Sequence, residues 1–130
     1  MDGYLLDTNI AIALLAGEHD ALDFVRQASD DRMSIYFSVN TECEVFSGLK
    51  SAYCLQGIKL FNSRRCIEVS SSVARLAGDI RREQKLKGRK LKTPDAIIIA
   101  TSIEHQLGLV SRDHDMSFVQ EAFGLPLFTI

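Results

Sequence analysis

The chain has 130 residues, 46% of them hydrophobic and 25% charged, with only two prolines, which excludes a disordered or fibrous polymer and suffices for a core without disulfide or metal staples. A formal net charge of −2 excludes a protein that holds nucleic acid by bulk positive charge, since such domains are usually strongly basic. Cys43, Cys54 and Cys66 are odd in number and lack metal-ligand spacing, so buried free thiols are expected rather than disulfides or a zinc site.

Met1-Asp2-Gly3-Tyr4 carries no basic segment followed by an apolar run, so no secretory leader is expected. The longest apolar stretch, around Ala96 to Ile103, falls far short of the roughly 18 residues of a membrane span. A soluble, cytoplasmic protein without membrane contact is the expectation, with residues 1–130 as one domain.

In chain order, Tyr4-Leu5-Leu6-Asp7 reads as a short buried strand. Thr8-Asn9 offers a cap for a helix over Ile10 to Leu15, and a second helix is expected from Asp20 to Ala28. Met33 to Ser38 reads as a strand. Thr41 is the expected cap of a helix through Lys50, and another amphipathic helix covers about Tyr53 to Asn62. Cys66 to Val69 returns as a strand.

Ser72 opens a long helix to about Lys87. A polar loop through Lys92 leads to Thr93-Pro94-Asp95, a helix start with proline at its favoured first position. Gly108 is read as the end of that helix. Leu109-Val110-Ser111 is a strand, His114 or Asp115 begins a short helix, and Leu127 to Thr129 forms a last edge strand. Strands alternating with helices imply a three-layer α/β/α domain with a central parallel sheet and helices on both faces.

Ligands of open parallel sheets bind outside the carboxyl ends of the strands. Asp7 ends the first strand, Asp113 follows the strand at Ser111, and Glu44 sits early in the helix leaving the second strand. The helix opened by Asp95 runs toward the amino end of the strand at Leu109, so Asp95 starts near the same carboxyl edge. Four converging carboxylates repel one another, and a divalent ion relieves that repulsion. An all-oxygen donor set suits magnesium or manganese, one or two ions, and phosphodiester hydrolysis is the natural chemistry.

Each acid also has a purely structural reading. Asp7 can cap the following helix. Thr41-x-x-Glu44 has the form of a capping box. Asp95 suits the dipole of its helix and Asp113 suits a surface turn. Their joint arrival at one sheet edge favours a site. Between residues 81 and 92, seven cations stand against Glu83 alone, a local balance of +6. Such a run is either a solvated face or a phosphate contact, with Arg82, Lys85, Arg89, Lys90 and Lys92 as candidates.

Leu5-Leu6-Asp7-Thr8-Asn9 resembles the opening of PIN domains, particularly the VapC-type toxins of bacterial toxin-antitoxin pairs. Ser38, Thr41, Glu44 and Gly48 resemble that family's second motif. Gly88-Arg89 with Pro94-Asp95-Ala96-Ile97-Ile98-Ile99-Ala100 resembles the third, and Leu109-Val110-Ser111-Arg112-Asp113 the fourth. The resemblance implies a magnesium- or manganese-dependent endoribonuclease that cuts structured RNA such as transfer or ribosomal RNA. It further implies inhibition by a small VapB-like antitoxin, and a homodimer. By position, Asp7, Glu44, Asp95 and Asp113 match the catalytic and metal-holding acids, while Thr8, Asn9 and Ser111 match supporting polar positions. Asp115 stands open as a sharer or replacement of Asp113. A housekeeping RNA-processing nuclease and a non-catalytic RNA- or protein-binding module are the competing readings; loss of acids would favour the module, and a neighbouring antitoxin gene the toxin.

Overall fold

Adjacent side chains of a strand point to opposite faces of its sheet, and Leu5 and Leu6, both fully buried, belong to two separate hydrophobic cores. Leu109 and Val110 divide in the same way. The computed structural model describes residues 1–130. Its strands are β1 (Gly3–Leu6), β2 (Ser34–Ser38), β3 (Arg65–Ile67), β4 (Gly108–Ser111) and β5 (Leu127–Thr129). All pairings are parallel, in the order β3-β2-β1-β4-β5.

Seven helices cover the two faces. Helices α1 (Thr8–Leu15), α2 (His19–Asp30), α3 (Val39–Gly48) and α4 (Cys54–Asn62) give Ile10, Ala21, Val45 and Phe61 to the core around Leu6, Phe37 and Val110. Helices α5 (Ser71–Leu86), α6 (Thr93–His105) and α7 (Phe118–Phe123) give Val73, Ile99 and Val119 to the core around Leu5 and Leu109. The three-layer α/β/α arrangement with a parallel sheet is therefore present. No helix is long and apolar enough to cross a membrane.

One topological fact positions the site. From β1 the chain moves outward through β2 to β3, then returns across β1 to β4 and on to β5. The strand order reverses between β1 and β4, and at that point the connections leave the two strands in opposite directions and open a crevice at their carboxyl ends. β1 and β4 pair through Leu6 and Val110, and the Asp7 amide donates to the Val110 carbonyl at 2.9 Å.

Three expectations are corrected. Thr41 does not cap α3: Ser38, the last residue of β2, accepts from the Asn40 amide at 3.1 Å, so the helix begins directly off the strand and Thr41 lies inside it. Gly108 does not end α6. The chain turns at Gln106, in the left-handed region at φ 55°, and Gly108 already begins β4. Glycine serves there because a Cβ would lie 2.6 Å from Met1 Sδ and 2.9 Å from the Phe128 ring. The thiols are free but not buried: Cys43 is exposed and Cys54 and Cys66 are intermediate. Cys43 lies on the outer side of α3 between Glu42 and Glu44, while partial burial and the nearby Glu42 push the Cys66 thiol up to about 12.

Candidate active site

Asp7 follows the last residue of β1 and is 5% exposed. Its extended backbone lets one side chain do two jobs. Oδ1 accepts from the Thr8 amide at 2.8 Å, which caps α1, and Oδ2 accepts from Ser111 Oγ at 2.7 Å. The expected caps Thr8 and Asn9 are thereby released. Burial raises the Asp7 carboxyl above the usual carboxylate range, the two hydrogen bonds oppose that, and Asp113 and Glu44 add to it.

Ser111 ends β4 and is 1% exposed. A hydroxyl has one proton and two lone pairs, and all three are used. Oγ donates to Asp7 and accepts from Asn9 Nδ2 at 3.3 Å and from the Asp113 amide at 3.0 Å. Asn9 Oδ1 in turn accepts from the Arg112 amide at 3.2 Å. The ends of β1 and β4 are thus tied across the switch point through one hydroxyl. The Arg112 side chain reaches in the other direction, to Glu18 at 3.0 Å and to Asp20, and holds the segment carrying Asp113 against the α1–α2 turn.

Glu44 is fixed from α1 and its own helix. Oε1 accepts from Thr8 Oγ1 at 3.0 Å and from Asn40 Nδ2 at 3.2 Å. Thr8 Oγ1 also lies 3.1 Å from the fully buried Thr41 Oγ1. With the Thr8 proton given to Glu44, Thr41 is the donor of that pair. Asn40 carries no signal in the sequence, whereas Thr41 stands in the motif with Glu44, where it reads as a helix cap rather than as a partner of Thr8.

Asp95 stands in the first turn of α6, directly after the proline that starts it. Its carboxyl is pushed up to about 6, first by burial, then by Asp7, Asp113 and Glu44, with Lys92 opposing. The other three acids named from the sequence are therefore within electrostatic reach of Asp95. Asp113 Oδ1 accepts from the Asp115 amide at 2.9 Å. Asp95, Asp113 and Asp115 line a hollow of about 350 Å³, together with Arg89, Lys90 and Lys92; Asp7 and Glu44 do not line it. Asp113, rather than Asp115, is the acid whose charge acts on Asp7 and Asp95.

The cations divide into engaged and free. Arg89 Nη1 donates to Gln84 Oε1 at 2.9 Å and its guanidinium lies 4.2 Å from the centre of the Phe118 ring, so it braces α5 against α7. Arg82 pairs with Asp79 at 2.8 Å. Lys85, Lys90 and Lys92 are exposed and make no ion pair.

No three acidic, His or Cys side chains form a ready-made cage for a cation. The donor set nonetheless fits one kind of ion. Its side-chain donors are all oxygen, and Asp7 and Asp95 are raised first by burial and then by the charges of neighbouring acids, which favours a positive guest. Magnesium keeps several waters and takes only one or two carboxylates directly, so it does not require a closed protein cage.

The fold and its acids define an α/β protein that gathers carboxylates at the switch point of a parallel sheet. The chain belongs to the PIN domain family, which matches residues 4–122. It is similar to a solved toxin-antitoxin complex from Klebsiella pneumoniae, at 30% identity over 98% of this chain and 100% of that one, with a TM-score of 0.74. It also shares its fold with VapBC2 of Rickettsia felis bound to a promoter DNA fragment, at 20% identity, 98% coverage of both chains and a TM-score of 0.79. VapBC-5 of Mycobacterium tuberculosis, of the VapBC family of toxin-antitoxin systems, aligns at 19% identity over the full length of both chains with a TM-score of 0.73. No curated protein matches the chain.

Proposed function

We propose that the protein is an endoribonuclease that hydrolyses phosphodiester bonds in structured RNA and acts as the toxin of a toxin-antitoxin pair. The observation that carries this reading is the set of four acids at the switch point, where burial and then the charges of Asp7, Asp113 and Glu44 push Asp95 up to about 6. Within a nuclease fold such a set is best accounted for by a divalent cation and a phosphate. Residues 1–130 would act as one domain in the cytoplasm.

Asp7, Glu44, Asp95 and Asp113 would hold one or two magnesium or manganese ions. A bound ion supplies activation of water and neutralisation of phosphoryl charge. The remaining work belongs to the chain. Ser111 and Asn9 hold Asp7 in one orientation, and Thr8 and Asn40 do the same for Glu44. Lys90 and Lys92 flank the acids and would meet the phosphates on either side of the cleaved bond. Asp115 would support Asp113 through its backbone amide.

The toxin reading draws on the solved relatives, which are toxin-antitoxin complexes or members of such systems. A VapB-like antitoxin would need an apolar surface. Phe46, Tyr53, Leu55 and Ile58, on α3, the turn after it and α4, are exposed and supply one. A homodimer is part of the same proposal.

The test is cleavage of a mixed transfer and ribosomal RNA pool by purified protein with magnesium or manganese, against EDTA and against Asp95→Asn. Cleavage that requires both metal and Asp95 is expected. An Asp95→Asn protein that cuts as fast as the parent overturns the site, and absence of cleavage under all conditions leaves the non-catalytic module as the better reading.

A further inference from the structure

Beside the carboxylate hollow lies a larger one, of about 700 Å³, on the outer side of α5 and the loop that follows. The two share Arg89, Lys90 and Leu91, so they adjoin along that segment. Two of the arginines in the larger hollow are held by neutral partners. Arg81 Nε donates to the Leu91 carbonyl at 3.0 Å, and Arg89 is held by Gln84 and the Phe118 ring. Their positions are fixed while their charges are not cancelled, which is the arrangement that binds an anion with least reorganisation. Lys85 and Lys90 add two unpaired ammonium groups.

A second observation is independent of charge. Gly78 lines the same hollow from the interior of α5, where glycine is a poor helix former. Nothing in the protein requires it, because a Cβ there would meet no atom within 4 Å. A glycine that is neither turning the chain nor relieving a contact, on the wall of a cationic hollow, leaves room for a ligand to approach the helix backbone. Leu91 is the only hydrophobic residue in the lining, and the Phe118 face is covered by Arg89, so no aromatic face is open for stacking a base.

We propose that this hollow is a subsite for the sugar-phosphate backbone of RNA, gripping one arm of the substrate beyond the cleaved bond without regard to base identity. The inference rests on the nuclease reading and deepens it: the acids would act on one phosphate while Arg81, Lys85, Arg89 and Lys90 hold the phosphates next along the strand. Recognition of sequence or shape then falls to other surfaces.

The test separates binding from cleavage. Fluorescein-labelled oligouridylate is titrated by anisotropy with the Asp95→Asn protein in EDTA, over a range of salt concentrations. Gly78→Gln, which adds a neutral side chain and a better helix former, is expected to weaken binding about tenfold while melting at the same or a higher temperature. Lys85→Gln and Lys90→Gln are each expected to lower the salt slope by about 0.7, the value for one phosphate contact on a single strand. Oligoadenylate should behave like oligouridylate. Unchanged affinity in all three variants overturns the proposal, as does strong discrimination between the two oligonucleotides. An oligoglutamate peptide that displaces the RNA and outbinds it would make the hollow a protein-docking site instead. Because no metal or turnover is involved, loss of the nuclease reading and loss of this subsite give different results.

Discussion

Ser111 Oγ stands 2.7 Å from Asp7 Oδ2, joining the ends of two strands through residues 104 positions apart in the chain. The bond is buried, its acceptor is an acid, and the same oxygen serves Asn9 and the Asp113 amide. Ser111→Ala would leave those two donors without their acceptor and Asp7 without its strongest partner. A loss of about 1–3 kcal/mol is expected in urea unfolding, with a large drop in RNA cleavage. Stability within a few tenths of the parent would show that water replaces the hydroxyl without cost.

Asp95 makes the metal-free protein sensitive to pH. Its folded carboxyl titrates at about 6 against an ordinary value of 3.8, so the folded state binds the proton more tightly than the unfolded state. The associated stability is present below about pH 4 and is lost as pH rises through about 6. In EDTA, the melting temperature of the parent should therefore fall relative to Asp95→Asn between about pH 4 and 7. Manganese affinity should fall as pH drops below about 6, because the proton and the cation compete for the same oxygens. A pH-independent difference between the two proteins would mean that neither burial nor its acidic neighbours raise Asp95.

Thr8 links Glu44 to the buried Thr41. Thr8→Val keeps the shape but removes both links. Glu44 then keeps Asn40 alone on that oxygen and gains freedom to turn away. The expected result is a large fall in cleavage rate with about 1 kcal/mol of destabilisation. Equal activity would remove the threonine pair from the site.

Gly3 tests the sheet that carries the site. A Cβ there would lie 2.7 Å from the Ser34 carbonyl oxygen and 2.8 Å from the Tyr36 ring. The carbonyl belongs to the neighbouring strand and has little room to give. Gly3→Ala is expected to cost about 1–3 kcal/mol in chemical denaturation by forcing β1 and β2 apart. Neutral substitution would require the strand pair to shift without loss.

Much of the fold is legible because its signals are local. Thr93-Pro94-Asp95 starts a helix where it is read, and Leu127 to Thr129 forms the edge strand with the expected bounds. The meeting of the four acids follows from strand and helix order alone, since a parallel sheet sends all its carboxyl ends to one side. What escapes the sequence is the choice among equivalent partners. Ser38 and Thr41 are both good caps, and only the strand ending at Ser38 decides between them. Gly108 looks like a helix stop until the strand packed against it shows that its missing Cβ is needed there. Arg89 reads as a free cation, yet its guanidinium is committed to Gln84 and Phe118, a contact made by packing between helices remote in the chain.

Seven of the fifteen lysines and arginines lie within residues 81–92, so in a chain of net charge −2 the other residues together carry −8. Positive charge is thus concentrated at the end of α5 and in the loop that follows. Near a polyanion the molecule's acidic bulk is pushed away while its cationic segment is drawn in, and the resulting torque turns the carboxylate hollow toward the strand before contact. Encounter would then be oriented rather than random, and its rate would fall with added salt even for collisions that never lead to cleavage.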